Sequence, residues 1–168
     1  AEIEGGAEIL ADAVARPIVC GTPTFMFRRH VFESIGGTWV SGIGNEMSDW
    51  ALGCKALQLG WKVAALKESY LKIYVNHEST RMSDQKFYSD NSERYIKFHN
   101  YFLTEYANII SQNPKSAIYH YECLINYYIA SRLFDKAFSI WTSLLKLRTN
   151  LRSFTILPYY AFKHLFQR

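Results

Sequence analysis

The sequence predicts a helix-dominated α+β chain, with an α+β part over residues 1–85 and an all-helical part over residues 86–168. The periodicity of the apolar residues predicts this division. Before residue 85 they alternate with polar residues over short segments, as in half-buried strands, whereas from Lys86 they recur at helical spacing. The composition is 49% hydrophobic and 20% charged, which excludes a disordered chain and predicts a folded one.

The first part is predicted to consist of short elements separated by glycine and proline. Pro17 ends the first helix, because proline disfavours helical backbone in the residue before it. Gly36 and Gly60 end the next two, because glycine adopts the left-handed conformation that often follows a helix. In order, the elements are a helix over 7–15, a buried strand over 24–27, a helical turn over 30–35, a loop over 38–47, a helix from Ser48 to about Leu59, strands over 61–66 and 70–75, and a loop over 77–85.

Three apolar faces predict three helices in the second part. The first helix is long and is broken by Pro114, the third has Asp135 as its N-cap, and a last helix is interrupted or started by Pro158. The three faces comprise Tyr95, Phe98, Phe102, Tyr106 and Ile109; then Ile118, Tyr121, Ile125, Tyr128 and Ile129; and then Ala137, Ile140, Trp141, Leu144 and Leu145.

The second and third of these helices have the apolar spacing of one tetratricopeptide-like hairpin, in which the small Ala137 allows close approach. A single copy predicts a packing motif, and a protein-binding groove is the alternative. The last stretch, Arg152 to Arg168, mixes aromatic with basic residues. It predicts either a helix that lies on an anionic membrane or a helix that closes the core.

Charge and cysteine content narrow the class of protein. The net charge of +4 is mild and its basic residues are spread out, so no nucleic-acid partner is predicted. No run of ~18 apolar residues predicts a membrane span, and the three cysteines form no CxxC pair. The start at Ala1 shows no signal peptide. We expect a piece cut from a longer cytoplasmic protein, with membrane association left open.

Four segments of the first part carry a family resemblance. Residues 27–37 (FRRHVFESIGG) resemble the frr-x-vfe-x-iGGf segment of family 2 glycosyltransferases, which have the GT-A fold. Residues 48–52 (SDWAL) resemble the EDwdL start of a helix in that family, and residues 55–63 (KALQLGWKV) resemble its continuation R-A-x-x-x-G-y-k-v. Residues 74–83 (YVNHESTRMS) resemble its yR-x-H-x-x-S-x-S strand end and loop. The segments keep the family's order over about 60 of 168 residues.

The resemblance implies that residues 1–85 are the C-terminal, acceptor-binding part of a GT-A-like domain. In the family, the Asp of the "ED" pair removes the proton of the acceptor hydroxyl, and the matching residue here is Asp49. Helix capping is the alternative role for Asp49. Ser48 stands where the family has Glu, so Glu46 would supply the nearby charge. Trp39 and Trp50 flank the implied acceptor pocket, and core packing is the alternative for Trp50.

The resemblance also implies a diphosphate and metal site. His77 matches the histidine that in relatives helps bind the metal or the diphosphate, and the implied cofactor is a divalent cation, Mg²⁺ or Mn²⁺. Val75 stands where the family has Arg, so Arg28 or Arg81 would contact the diphosphate instead, and a solvated surface position is the alternative for both. The chain lacks the family's metal-binding Asp-x-Asp. We therefore expect its donor-binding half to lie outside this chain, and the chain alone to be inactive.

The implied reaction is transfer of a sugar, with inversion, from a nucleotide-diphosphate sugar to a saccharide or lipid-linked acceptor. The Gln-x-x-Arg-Trp of processive synthases is missing, which favours addition of one or a few sugars. The chain also contains no P-loop, G-x-S-x-G, G-x-G-x-x-G or H-E-x-x-H motif. A non-catalytic helical module that binds a protein or a membrane is the alternative function.

Overall fold

The computed structural model describes residues 4–17, 26–37, 48–64 and 91–166. Of these residues 78% are helical and 3% lie in strands, so the predicted predominance of helix is confirmed. The chain divides into two compact units, residues 1–80 and residues 81–168. A GT-A-like α/β arrangement is not visible in the described part of the first unit, and it stays a prediction.

The described part of the first unit contains three short helices and one small strand pair. Strand β1 (Glu4–Gly5) pairs antiparallel with β2 (Val63–Ala64). A 3-10 turn over Ala7–Ile9 leads into α1 (Leu10–Ala15), which is followed by α2 (Arg29–Ser34) and α3 (Ser48–Gln58). Helix α1 packs against α3, and these two helices supply the buried residues Leu10, Ala13, Val14, Trp50, Ala51, Leu52, Cys54, Ala56 and Leu57.

Helices α2 and α3 end in the same hydrogen-bonding motif. After α3, the N–H of Gly60 donates to the carbonyl of Leu57, and the N–H of Trp61 donates to the carbonyl of Ala56. Gly60 has a φ of 84°, as does Gly36 after α2. The pair of bonds satisfies carbonyls that a helix end leaves without partners. The glycine stops and all three predicted helices of this part are therefore confirmed.

The predictions for strands of the first unit are less accurate. Within the described part of the predicted strand 61–66, Val63 and Ala64 are in a strand and residues 61 and 62 are not, while residues 65 and 66 lie outside the described residues. Met26 and Phe27 are not in a strand, and Met26 is 82% exposed, so the prediction of a buried strand is wrong for this half of 24–27. A short apolar run does not reveal whether a partner strand is present. Thr24, the loops 38–47 and 77–85 and the strand 70–75 lie outside the described residues.

The second unit is a set of packed helices. They are α4 (Ser92–Glu105), α5 (Ala107–Gln112), a 3-10 turn over Pro114–Ala117, α6 (Ile118–Ala130), α7 (Phe134–Leu147) and α8 (Leu151–Phe166). Helix α6 is central, since α4, α7 and α8 all pack against it. The core comprises Leu124, Ile125, Tyr128, Ile129, Ala137, Leu144 and Ile156.

Three predictions for this unit need correction. The first long helix is interrupted at Tyr106, whose φ of −103° and ψ of 23° separate α4 from α5. Leu133, and not Asp135, is the N-cap of α7, and Asp135 lies in its first turn. Helix α8 continues through Pro158. Pro158 is exposed and so is Phe154, whose carbonyl loses its helical donor, so solvent can replace that bond.

Candidate functional site

The predicted catalytic residue lies at the start of α3. Asp49 is in the first turn of this 11-residue helix, and its side chain is partly exposed. Its Oδ1 accepts the backbone N–H of Trp50 at 2.8 Å. The first turn of a helix stabilises a negative charge, because its N–H groups point toward it. The arrangement fits both roles predicted for Asp49, since a capping carboxylate and a general base must each be ionised.

Trp50 fixes the start of α3 to α1. Its side chain is 3% exposed, and its indole Nε1–H donates to the carbonyl oxygen of Ala13 at 2.5 Å. Ala13 and Val14 beside this bond are fully buried. The structure thus gives Trp50 the packing role, which was the alternative to stacking on an acceptor sugar. Asp49 gains a rigid support from its neighbour, because the indole cannot move without leaving the Ala13 carbonyl buried and unpaired.

Cys54 lies one turn further along α3 and is 1% exposed. Burial raises the pKa of its thiol far above the ordinary value, with a smaller opposing effect from a hydrogen bond to Trp50. The thiol therefore stays protonated at neutral pH. Since the thiolate is the nucleophilic form, Cys54 is a packing residue of this helix and not a reactive one.

The predicted diphosphate contact Arg28 is exposed at the start of α2. Helix α2 is linked to the turn after α3 by two contacts of Trp61. The indole Nε1–H donates to the Ser34 hydroxyl at 2.9 Å, and the ring packs on His30 with centroids 5.1 Å apart. Arg28 and Asp49 are thus carried by two helices, each at its N-terminal end.

The other predicted site residues fall outside the described ranges. They are Trp39 and Glu46 for the acceptor, Arg81 for the diphosphate and His77 for the metal. Among the residues that are described, no three His, Cys, Asp or Glu side chains come together as a metal site. The fit of Mg²⁺ or Mn²⁺ to this chain therefore stays a prediction that depends on His77.

Sequence analysis missed a buried histidine pair in the second unit. Nδ1 of His99 and Nδ1 of His120 are 3.0 Å apart, and both side chains are fully buried. Burial, and to a lesser degree His120, holds the pKa of His99 well below its ordinary value. Rings of Phe98, Phe102 and Tyr127 pack around His99 or His120. His99 falls on the predicted apolar face of its helix, four residues after Tyr95, but His120 lies off the predicted face of the next helix, so no sequence signal marks the pair.

A buried ion network joins α6 to the connection between α7 and α8. The Glu122 carboxylate, in a residue that is 8% exposed, accepts hydrogen bonds from Arg148 and, at 2.7 Å, from Arg152. Arg148 also donates to the Ser153 hydroxyl at 2.9 Å, and the Ser153 N–H donates to Asn150 Oδ1 at 3.0 Å. The network satisfies the buried carboxylate and fixes the start of α8. The network has a structural role, and within it the Arg152 side chain stays 71% exposed.

Across the described ranges, no helix has the length and hydropathy that crossing a bilayer requires. No family model, curated protein or solved structure matches the chain. The likeness to family 2 glycosyltransferases rests on the order and spacing of four sequence segments.

Proposed function

We propose that the first unit carries the acceptor side of an inverting glycosyltransferase site, with Asp49 as the general base. The substrates are a nucleotide-diphosphate sugar and a saccharide or lipid-linked acceptor. The observation that supports this proposal is the position of Asp49. Its carboxylate is partly exposed in the first turn of α3, next to the buried and hydrogen-bonded Trp50.

The reaction places two structural requirements on the general base. As the acceptor oxygen attacks the anomeric carbon, its proton passes to the carboxylate, and the nucleoside diphosphate leaves with the electron pair of the broken bond. The carboxylate must therefore be reachable and held in place. Oδ1 of Asp49 takes the Trp50 N–H, so Oδ2 is the oxygen that would receive the proton. A divalent cation would supply charge neutralisation of the leaving diphosphate.

The test is sugar transfer by the full-length natural protein with Asp49→Asn. Asparagine keeps the shape of the side chain and an oxygen for the Trp50 N–H, but it cannot take the proton. We expect the transfer rate to fall by at least ~100-fold. Asp12→Asn is the matched control, because Asp12 is an exposed first-turn aspartate of α1 in the same unit. A rate that both variants leave unchanged would contradict the assignment.

The second candidate function is a non-catalytic interaction module in the second unit. The observation that favours it is the outer face of α8, where Leu151, Phe154, Tyr159 and Phe162 are each more than half exposed. Under this function Asp49→Asn leaves the activity of the natural protein intact, whereas substitutions on α8 abolish partner binding. Asp49→Asn and a substitution on α8 therefore separate the two candidate functions.

A further inference from the structure

The outer face of α8 is apolar where a surface helix is normally polar. The exposed fractions are 80% for Leu151, 51% for Phe154, 60% for Tyr159 and 64% for Phe162. At helical spacing Leu151, Phe154, Pro158 and Phe162 lie along one stripe, with Tyr159 on its flank. A helix on the surface of a globular protein normally places charged and polar residues on this side. An exposed apolar face of this kind is typical of a surface that contacts a partner or a membrane.

The inner face of α8 does not account for these side chains. Ser153 and Ile156 are buried, and Leu157 and Tyr160 pack against the core formed with α6 and α7. The core is thus closed by one side of α8 while the other side remains apolar. This arrangement combines the two interpretations that the sequence left open for the last stretch, since a helix that closes the core can still present a second apolar face.

The excess of basic over acidic residues falls in the last two helices of the chain and their connection. Residues 134–166 contain five Lys or Arg residues and one Asp, and the rest of the chain has equal numbers of acidic and basic residues. The net charge of +4 therefore belongs to α7, α8 and their connection. Helix α8 itself contains no Asp or Glu. Its cations Arg152 and Lys163 lie on one side of the apolar stripe, beyond Tyr159, and the Arg152 side chain is 71% exposed although it pairs with Glu122.

We propose that α8 binds the surface of an anionic phospholipid bilayer. Leu151, Phe154 and Phe162 enter the boundary between headgroups and acyl chains, Tyr159 lies at headgroup level, and Arg152 and Lys163 contact lipid phosphates. The 16 residues of α8 span about 24 Å, which is shorter than the ~30 Å hydrocarbon core, so the helix lies in the plane of the membrane. The proposal does not depend on the role of Asp49.

Two other occupants fit the face less well. A second copy of the chain would bring two sets of like charges together across the contact, which opposes association. A protein partner would need groups that fix its register, but among the described side chains of α8 only Thr155 and Tyr159 offer exposed hydroxyls on this face. A bilayer needs no fixed register, and its anionic headgroups complement the flanking cations.

The test is sedimentation of the full chain with vesicles of phosphatidylcholine alone or with 30% phosphatidylserine. We expect binding to the anionic vesicles and loss of binding at 1 M salt, where surface charges are screened. The double variant Leu151→Ser/Phe162→Ser should bind at least ~10-fold more weakly. Its matched control is Met26→Ser/Leu59→Ser, because both residues are large, apolar and more than half exposed but lie in the first unit.

A charge variant tests whether basic side chains of α8 contact the lipid phosphates. Lys163→Gln should weaken partition about 5-fold at low salt, and Lys97→Gln, on α4, should leave it within about 2-fold. Circular dichroism checks that each variant stays folded, and analytical ultracentrifugation measures its oligomeric state. Absence of binding to anionic vesicles, equal binding by the α8 and control variants, or an oligomer that only the α8 variants dissociate would each overturn the proposal.

Discussion

The two units differ in what holds them together and in what their sequences reveal. In the first unit, α1 and α3 share a small set of buried residues, and the indole of Trp50 joins them by one hydrogen bond. In the second unit, α6 is surrounded by α4, α7 and α8, with a continuous core and a buried ion network. The family resemblance lies on the small scaffold. The second unit, which has the larger core, presents basic residues and exposed apolar side chains, but its sequence contains no recognisable catalytic motif.

Each unit contains a tryptophan whose indole joins two helices, and substitution of these two residues should change the free energy of unfolding most. Trp50 is buried and donates to Ala13, whereas Trp141 is half-buried and donates to the Ser153 carbonyl at 2.7 Å. Trp50→Ala should cost about 3–5 kcal/mol, because it removes a buried ring and leaves a cavity between α1 and α3. Trp141→Ala should cost about 2 kcal/mol, since part of its ring is already solvated.

Hydrogen exchange measured helix by helix distinguishes these effects. Trp50→Ala should reduce the protection of amides in α1 and α3, and Trp141→Ala should reduce it in α7 and α8. Trp50→Phe is the control, because it keeps most of the buried area and loses only the N–H bond. Equal and small losses for the two Ala variants would show that Trp50 is not the main link between α1 and α3.

The histidine pair predicts a pH dependence that belongs to the second unit. Because the pKa of His99 is depressed in the folded state, the unfolded chain binds more protons once the pH falls below the ordinary value of 6.5. The free energy of unfolding should therefore decrease as the pH falls from 6.5, by up to about 1.4 kcal/mol per pH unit. Denaturant unfolding at several pH values measures this slope.

His99→Phe should flatten the slope, because the new ring fills the site but cannot bind a proton. Part of the slope remains in this variant, since burial also lowers the pKa of His164, which contacts Asn126. In the first unit, the histidine among the described residues is His30, which is exposed. A slope that His99→Phe leaves unchanged would contradict this account of the pair.

Substitutions at helix ends should change the free energy of unfolding least. They also compare the two units directly, because α3 and α6 end in the same motif. Helix α6 ends in the same motif as α3, with the N–H of Leu133 donating to the Tyr128 carbonyl. The left-handed position is held by Arg132, with a φ of 60°, where α3 uses Gly60. Arg132→Gly should stabilise the protein by roughly 0.5–1 kcal/mol, and Gly60→Ala should destabilise it by about 1 kcal/mol.

Thermal unfolding of the two variants tests whether Arg132→Gly raises the stability and Gly60→Ala lowers it. Arg132→Ala is the control, because alanine also has a side chain at the left-handed position and should give little gain. A stabilisation by Arg132→Ala as large as that by Arg132→Gly would mean that charge, and not backbone conformation, determines the effect.

Local signals allow prediction of most helix boundaries. Gly36 and Gly60 end their helices because the required conformation depends on one residue and its neighbours. The break at Tyr106 and the continuation through Pro158 depend on which side of each helix is packed or solvated, and no neighbouring residue encodes that. For the same reason the sequence predicts an unbroken helix through Tyr106 and a boundary at Pro158, and both predictions are wrong.

The candidate site shows the same division between local and distant causes. Capping chemistry at Ser48 and Asp49 is enough to predict that Asp49 lies in the first turn of α3. The direction of Trp50 cannot be predicted in this way, because its partner Ala13 lies 37 residues earlier in the chain. His99 and His120 are 21 residues apart on different helices, so only the packing of α4 on α6 brings them together.

We propose that Asp49 removes a proton during sugar transfer, and steady-state kinetics of the full-length natural protein test this role. The measurement is kcat and the acceptor KM of the wild type and of Asp49→Asn. We expect kcat to fall by at least ~100-fold while KM changes by less than about 3-fold, because the group lost acts in the transition state. Unchanged kcat in Asp49→Asn would contradict the claim and leave Asp49 as a helix cap.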